Sequence, residues 1–81
     1  MESQYRTHPV AKHDFDAEYK AQWSNSDTAH VIAGKHLGNL LLAWQDEIDL
    51  YGGSLTGSLD KGERLIYRPG RTDHFCTVRR A

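Results

Sequence analysis

The sequence predicts an α+β domain: a short N-terminal strand, two helices of which the second is long, then a three-stranded antiparallel sheet packed on the helices. Three observations predict it. Apolar residues recur at gaps of three and four from Ala33 to Tyr51, as on one face of a long helix. The last third, Gly57 to Arg80, mixes β-forming residues with arginines around a Pro69-Gly70 turn. The chain has 81 residues, 38% apolar and 26% charged, enough for one small core and not for two. Residues 1–81 are therefore expected to form a single domain.

In chain order, Gln4-Tyr5-Arg6-Thr7-His8 reads as the first strand, with Pro9 suited to its end. Asp14 or Asp16 caps a short first helix holding Ala17-Glu18-Tyr19-Lys20-Ala21-Gln22-Trp23, with its acids near the start, where the macrodipole favours them. Ser24-Asn25-Ser26 interrupts the pattern, and Ser26-Asp27-Thr28 offers an N-cap for the second helix, Thr28 to about Tyr51. Its stripe is Ala33, Leu37, Leu40, Leu41, Trp44, Ile48 and Tyr51, and Gly52-Gly53 ends it. Gly34 and Gly38 give a G-x-x-x-G spacing that lets another backbone come close, either the first helix or the long helix of a twin subunit in a homodimer. Trp23 and Trp44 read as core or helix-pairing residues.

The strands expected next are Leu55–Leu59, Glu63–Arg68 and Phe75–Arg79. With Leu65 and Tyr67 turned to the helix, the pleat sends Arg64, Ile66 and Arg68 to the other side. Burial of Cys76 and Val78 likewise sends Phe75, Thr77 and Arg79 outward. This register is an assumption, and a slip of one residue would invert it.

Net charge is −1, but residues 1–51 carry −4 and residues 52–81 carry +3. The near-neutral total argues against bulk DNA binding, while the arginine-rich end suits phosphate or an acidic partner. One cysteine, Cys76, gives neither an internal disulfide nor a zinc framework. His74 and Cys76 lie two apart, but His30 and His36 do not share a helix face, so no metal and no cofactor are expected. No apolar run approaches the roughly 20 residues of a membrane span, and the start lacks a signal-peptide pattern. A cytoplasmic protein without a membrane partner is the expectation.

Ser54-Leu55-Thr56-Gly57 ahead of Arg64-Leu65-Ile66-Tyr67, a last strand ending Val78-Arg79-Arg80, and an opening Tyr5-Arg6-Thr7-His8-Pro9 with Asp14-Phe15 together resemble the RelE/ParE superfamily of bacterial toxins, closest to its YoeB-like ribosome-dependent mRNA nucleases. The resemblance implies a strand, two helices and three antiparallel strands, with an antitoxin peptide laid across the sheet. It implies catalytic phosphate contact by Arg64, with Arg79 or Arg80 as a second; no general base stands at a matching place, and His74, near the last strand, is the catalytic candidate nearest to one. Lys61, Arg68, Arg71, Phe75 and Arg80 would bind nucleic acid or partner around them. The chain departs from the family in the shortened Ser58-Leu59-Asp60-Lys61-Gly62 segment and in its Arg79-Arg80-Ala81 end, where YoeB-like proteins carry His-Tyr.

Two functions are therefore carried forward, ahead of a third, a small nucleic-acid-binding regulator, which no helix-turn-helix pattern or basic recognition helix supports. The first is a RelE/ParE-like toxin or degenerate relative, acting through a basic sheet face on ribosome-bound mRNA or another nucleic-acid machine. The second is a non-enzymatic phage or mobile-element inhibitor, anti-CRISPR-like, that binds and blocks a host protein complex. The arginines also admit a plain reading as a solvated sheet face paired with Asp60, Glu63 and Asp73.

Overall fold

The computed structural model describes residues 15–81, apart from the side chain of Lys61. Its strands are β1 (Glu18–Trp23), β2 (Ala29–Ala33), β3 (Gly53–Gly57), β4 (Arg64–Pro69) and β5 (Cys76–Arg80), with one long helix, α1 (Gly34–Tyr51), between β2 and β3. They form one five-stranded sheet in the order β2-β1-β5-β4-β3, every neighbouring pair antiparallel. A single turn of 3-10 helix, Asp60–Gly62, joins β3 to β4.

This corrects the expected architecture. Where two helices and a three-stranded sheet were predicted, the described residues hold one long helix and five strands. The predicted first helix, Ala17–Trp23, is strand β1. Its apolar residues alternate with polar ones: Tyr19 and Ala21 are buried and Trp23 partly so, while Glu18 and Lys20 are exposed. That two-residue period outweighs the helix propensity of Glu, Lys, Ala and Gln, because it lets one face of the segment join the core. The predicted start of the second helix is likewise strand. Ala29-His30-Val31-Ile32-Ala33 includes two adjacent β-branched residues and pairs along its whole length with β1. The helix begins at Gly34 with no side-chain cap, so Ser26-Asp27-Thr28 belongs to the β1–β2 hairpin loop instead. There the Thr28 N–H donates to the Ser26 hydroxyl, and the Gln22 amide donates to the Ser26 carbonyl. The predicted strand at Gln4–His8 lies outside the described residues.

The centre of the helix stripe and its end agree with the sequence, whereas Ala33 belongs to β2 and Tyr51 is exposed. Leu37, Leu41 and Trp44 are buried, and Leu40 and Ile48 pack against them. Gly52 closes the helix at φ 83°, its N–H donating to the Ile48 carbonyl at 2.8 Å. The helix lies on one face of the sheet, and the core between them joins Tyr19, Ala21, Leu65, Tyr67, Cys76 and Val78 to the helix side chains. Leu59, just before the 3-10 turn, adds to it from the β3–β4 connection. The glycine spacing serves the chain itself. A Cβ at Gly34 would collide with the Phe15 backbone, and one at Gly38 would press on the Phe15 ring at 3.2 Å. The Gly34 N–H also donates to Ala17 at 2.7 Å, so the neighbour this spacing admits is the segment entering β1.

Candidate functional site: a cationic row on the open sheet face

Because α1 covers one face of the sheet, alternate strand residues point away from it. The burial pattern assigns them. Leu65 and Tyr67 of β4 and Cys76 and Val78 of β5 are buried, so Arg64, Ile66, Arg68, Thr77 and Arg79 lie on the opposite, open face. Tyr19 and Ala21 of β1 are buried, which puts Lys20 and Gln22 there as well.

The register then sets cations side by side. Arg79 pairs with Lys20 on one flank and with Arg64 on the other, and Lys20 in turn pairs with Val31 at the sheet edge. Directly opposed side chains on neighbouring strands have Cβ atoms roughly 5 Å apart, so three positive groups stand in line across three strands. Among the described residues, none of the side-chain hydrogen bonds involves Lys20, Arg64 or Arg79. A depression of about 220 Å³ is lined by Lys20, Gln22, Ala29, Arg64, Thr77 and Arg79. A second hollow beside it is lined by Gly62, Glu63, Arg64, Ile66 and Arg79. The next row along the sheet is uncharged, with Gln22 opposite Thr77, Thr77 opposite Ile66 and Ile66 opposite Thr56. The plain reading of the arginines in part fits: the face is solvated, but across the strands its cations stand side by side, with Glu18 the acid two residues from Lys20 on the same face.

Of the residues singled out from the sequence, the fold brings Arg64 and Arg79 together and separates most others. His74 precedes β5, five residues from Arg79 along a chain rising about 3.3 Å per residue, which puts it roughly 15 Å off. That is beyond reach for a base acting on a group held by both arginines. Arg68 shares the open face but lies at the far end of β4, opposite Ser54, with its guanidinium 4.6 Å from the Phe75 ring centre. Phe75 is further fixed by a backbone bracket: the Ser24 N–H donates to its carbonyl, and its own N–H donates to the Ser24 hydroxyl. Arg71 sits 4.4 Å from the Tyr51 ring centre at the end of α1, away from the cationic row. Arg80 pairs with Tyr19, so the pleat directs it toward the helix side. Lys61 belongs to the 3-10 turn, and its side chain is outside the description.

Lys20 is the member of the row that the sequence reading missed, because it had been placed on a helix. The signal was the alternation Glu18-Tyr19-Lys20-Ala21-Gln22-Trp23, which puts Lys20 between two core residues.

On the helix side, Trp44 stacks on Tyr67 with centroids 4.4 Å apart, and Trp23 meets both rings edge-on. A groove of about 430 Å³ runs past these rings between Glu47 and Arg71. Burial, and then the nearby Glu47 charge, raise the Tyr67 hydroxyl above the usual tyrosine range. The Cys76 thiol, beneath the sheet, is pushed up to about 11 by burial, which outweighs a backbone hydrogen bond at Gln22 that favours the thiolate. It is a core residue and no nucleophile. Among the described residues no group of three or more His, Cys, Asp or Glu side chains is placed to hold a metal, and no helix is long and apolar enough to cross a membrane.

Comparison with protein-family models, with curated proteins and with solved structures gives no match to this chain.

Proposed function

We propose that this protein is a non-cleaving binding module whose open sheet face grips the phosphodiester backbone of a nucleic-acid strand. Lys20, Arg79 and Arg64 supply the charge, and Gln22 and Thr77 offer hydrogen bonds beside them. The single observation that carries the reading is the register, which sets three cations directly opposite one another on adjacent strands. Like charges so placed repel, and an anion lying across them removes the cost. Arginine's planar fork suits phosphate oxygens, and lysine adds a point charge. The reading keeps the nucleic-acid target of the toxin hypothesis and leaves out its chemistry. His74 is too far to serve as base, and the carboxylates beside the row among the described residues, Glu63 and Glu18, would repel a phosphate at either end.

One observation favours a second reading, the inhibitor that docks on an acidic host protein. Phe75 is the aromatic residue on the open face of β4 and β5, and Arg68 already packs against its ring, so a base finds little to stack on.

Fluorescence anisotropy with labelled single-stranded RNA, single-stranded DNA and duplex tests both readings together. Three phosphate contacts on a single strand predict a log–log salt slope of about −2. The Lys20→Gln/Arg64→Gln/Arg79→Gln triple variant should lose both the binding and the slope, and the oligonucleotide should remain intact throughout. No binding at low salt, or wild-type binding by the triple variant, would remove the nucleic-acid reading. Preferential competition by polyglutamate would move the assignment to an acidic protein.

A further inference from the structure

The sheet has two outer strands, and they are not equally protected. β3 begins and ends on glycines at positive φ, Gly53 at 111° and Gly57 at 91°, and a Cβ on either would strike the backbone of β4. Those kinks restrict a flat approach to that side. β2 has no such device: Ala29-His30-Val31-Ile32-Ala33 lacks proline, glycine, lysine and any acid, and among the described residues it is paired only with β1. Native proteins normally blunt an outer strand with charge, proline or a bulge, because its unpaired N–H and C=O groups are a template for another chain. Val31, at its centre, is 60% exposed.

We propose that β2 is the seam at which two copies of this chain join, edge to edge and antiparallel about a two-fold axis at Val31. The strand is self-complementary in that register. Val31 faces its own counterpart, His30 faces the second copy's Ile32, and Ala29 faces the second copy's Ala33. Small residues meet small ones, an aliphatic side chain meets its equal, and no like charges are opposed. Any extended peptide could make the main-chain bonds, but a second copy also supplies the matching side chains by symmetry.

Joining the sheets also joins the cationic rows. Val31 is directly opposite Lys20, so the line Arg64–Arg79–Lys20–Val31 continues through the axis into Val31–Lys20–Arg79–Arg64 of the second copy. The two lysines then lie three strand spacings apart, about 14 Å. A phosphate chain laid across the strands spans both triads, and binding it ties the copies together. This consequence rests on the binding reading above; the strand pairing does not. A five-residue seam buries less than the roughly 1,000 Å² of a stable interface, so the free dimer is weak and reversible.

Sedimentation velocity of the full chain from about 10 μM to about 1 mM brackets such an equilibrium and should show a monomer–dimer transition. Val31→Lys and Val31→Glu each place like charges face to face at the axis, and each should remain monomeric over that range. Their equimolar mixture should dimerise again. Thermal melts by circular dichroism establish that both variants are folded, as expected for an exposed side chain. A wild type monomeric throughout, charge variants that dimerise as it does, or a mixture that stays monomeric overturns the seam. The Lys20→Gln/Arg64→Gln/Arg79→Gln variant separates the two ideas: it should keep the dimer while losing the oligonucleotide.

Discussion

Replacing Arg79 by glutamine should make this protein more stable, contrary to the usual effect of a substitution in a central strand. β5 is the middle strand of the sheet, and Arg79 stands between Lys20 and Arg64. Each directly opposed like-charge pair destabilises by a few tenths of a kcal/mol, discounted here because the groups are exposed and partly screened. Removing Arg79 relieves two such pairs and leaves Cys76 and Val78, the buried side of the strand, unchanged. The gain should be about 0.5–1 kcal/mol at low salt. For a domain of this size that raises the melting temperature by about 2–8 °C. The assay is urea and thermal unfolding at low and high sodium chloride. The gain should shrink as salt rises, because exposed charges are screened over about 10 Å at 0.1 M. It should also shrink when Arg79→Gln is made in a Lys20→Gln/Arg64→Gln background, where no repulsion remains to relieve. An unchanged or lowered stability, or a gain that ignores both salt and background, would refute the reasoning. The row would then be an ordinary solvated surface.

Three further outcomes follow from the packing. Trp44 is 7% exposed and stacked on Tyr67, so Trp44→Ala should cost about 3–5 kcal/mol in urea unfolding and remove much of the domain's stability. Gly34→Ala should destabilise by about 1–3 kcal/mol because it meets the Phe15 backbone, whereas Gly38→Ala should lie within about 1 kcal/mol of wild type, since a ring edge can shift. The Cys76 thiol is raised from an ordinary 9.0 to about 11, so between those values the unfolded thiol ionises while the folded one keeps its proton. The unfolded state then binds fewer protons, and stability should fall as pH rises across that window. Cys76→Ala should flatten that part of the pH–stability curve, and in the native protein a thiol reagent should react only as fast as the core opens.

The long helix and the last two strands were legible in the sequence, the architecture that joins them was not, and the errors have physical causes. The Leu37–Leu41–Trp44 stripe and the Gly52 end were read correctly, because a long amphipathic period and a glycine terminus are local signals. The facing of β4 and β5 also came out as expected: a two-residue period with arginine on one side and Leu65, Tyr67, Cys76 and Val78 on the other fixes the pleat. The first helix failed because Tyr19 and Trp23 are four apart and so fit a helix face as well as a strand face. Pairing with β2 across a hairpin, and with β5 at the far end of the chain, decides between them. Ala29–Ala33 failed because the small residues Ala29 and Ala33 read as helix, while His30, Val31 and Ile32 gain from cross-strand packing that a local reading does not see. The site inherited both errors. Lys20 was lost with the misassigned helix, and His74 and Arg71 were grouped with Arg64 and Arg79 by nearness in sequence, which the fold does not preserve.

The measurement that bears most directly on the account is a ¹H–¹⁵N correlation spectrum of the protein titrated with a single-stranded oligonucleotide at low salt. Shifts should concentrate at the amides of Lys20, Gln22, Arg64, Ile66, Thr77 and Arg79, with Lys35, Asn39 and Asp46 on the helix unmoved. Shifts centred on the helix and the Trp23–Trp44 groove, with the open sheet face silent, would contradict it.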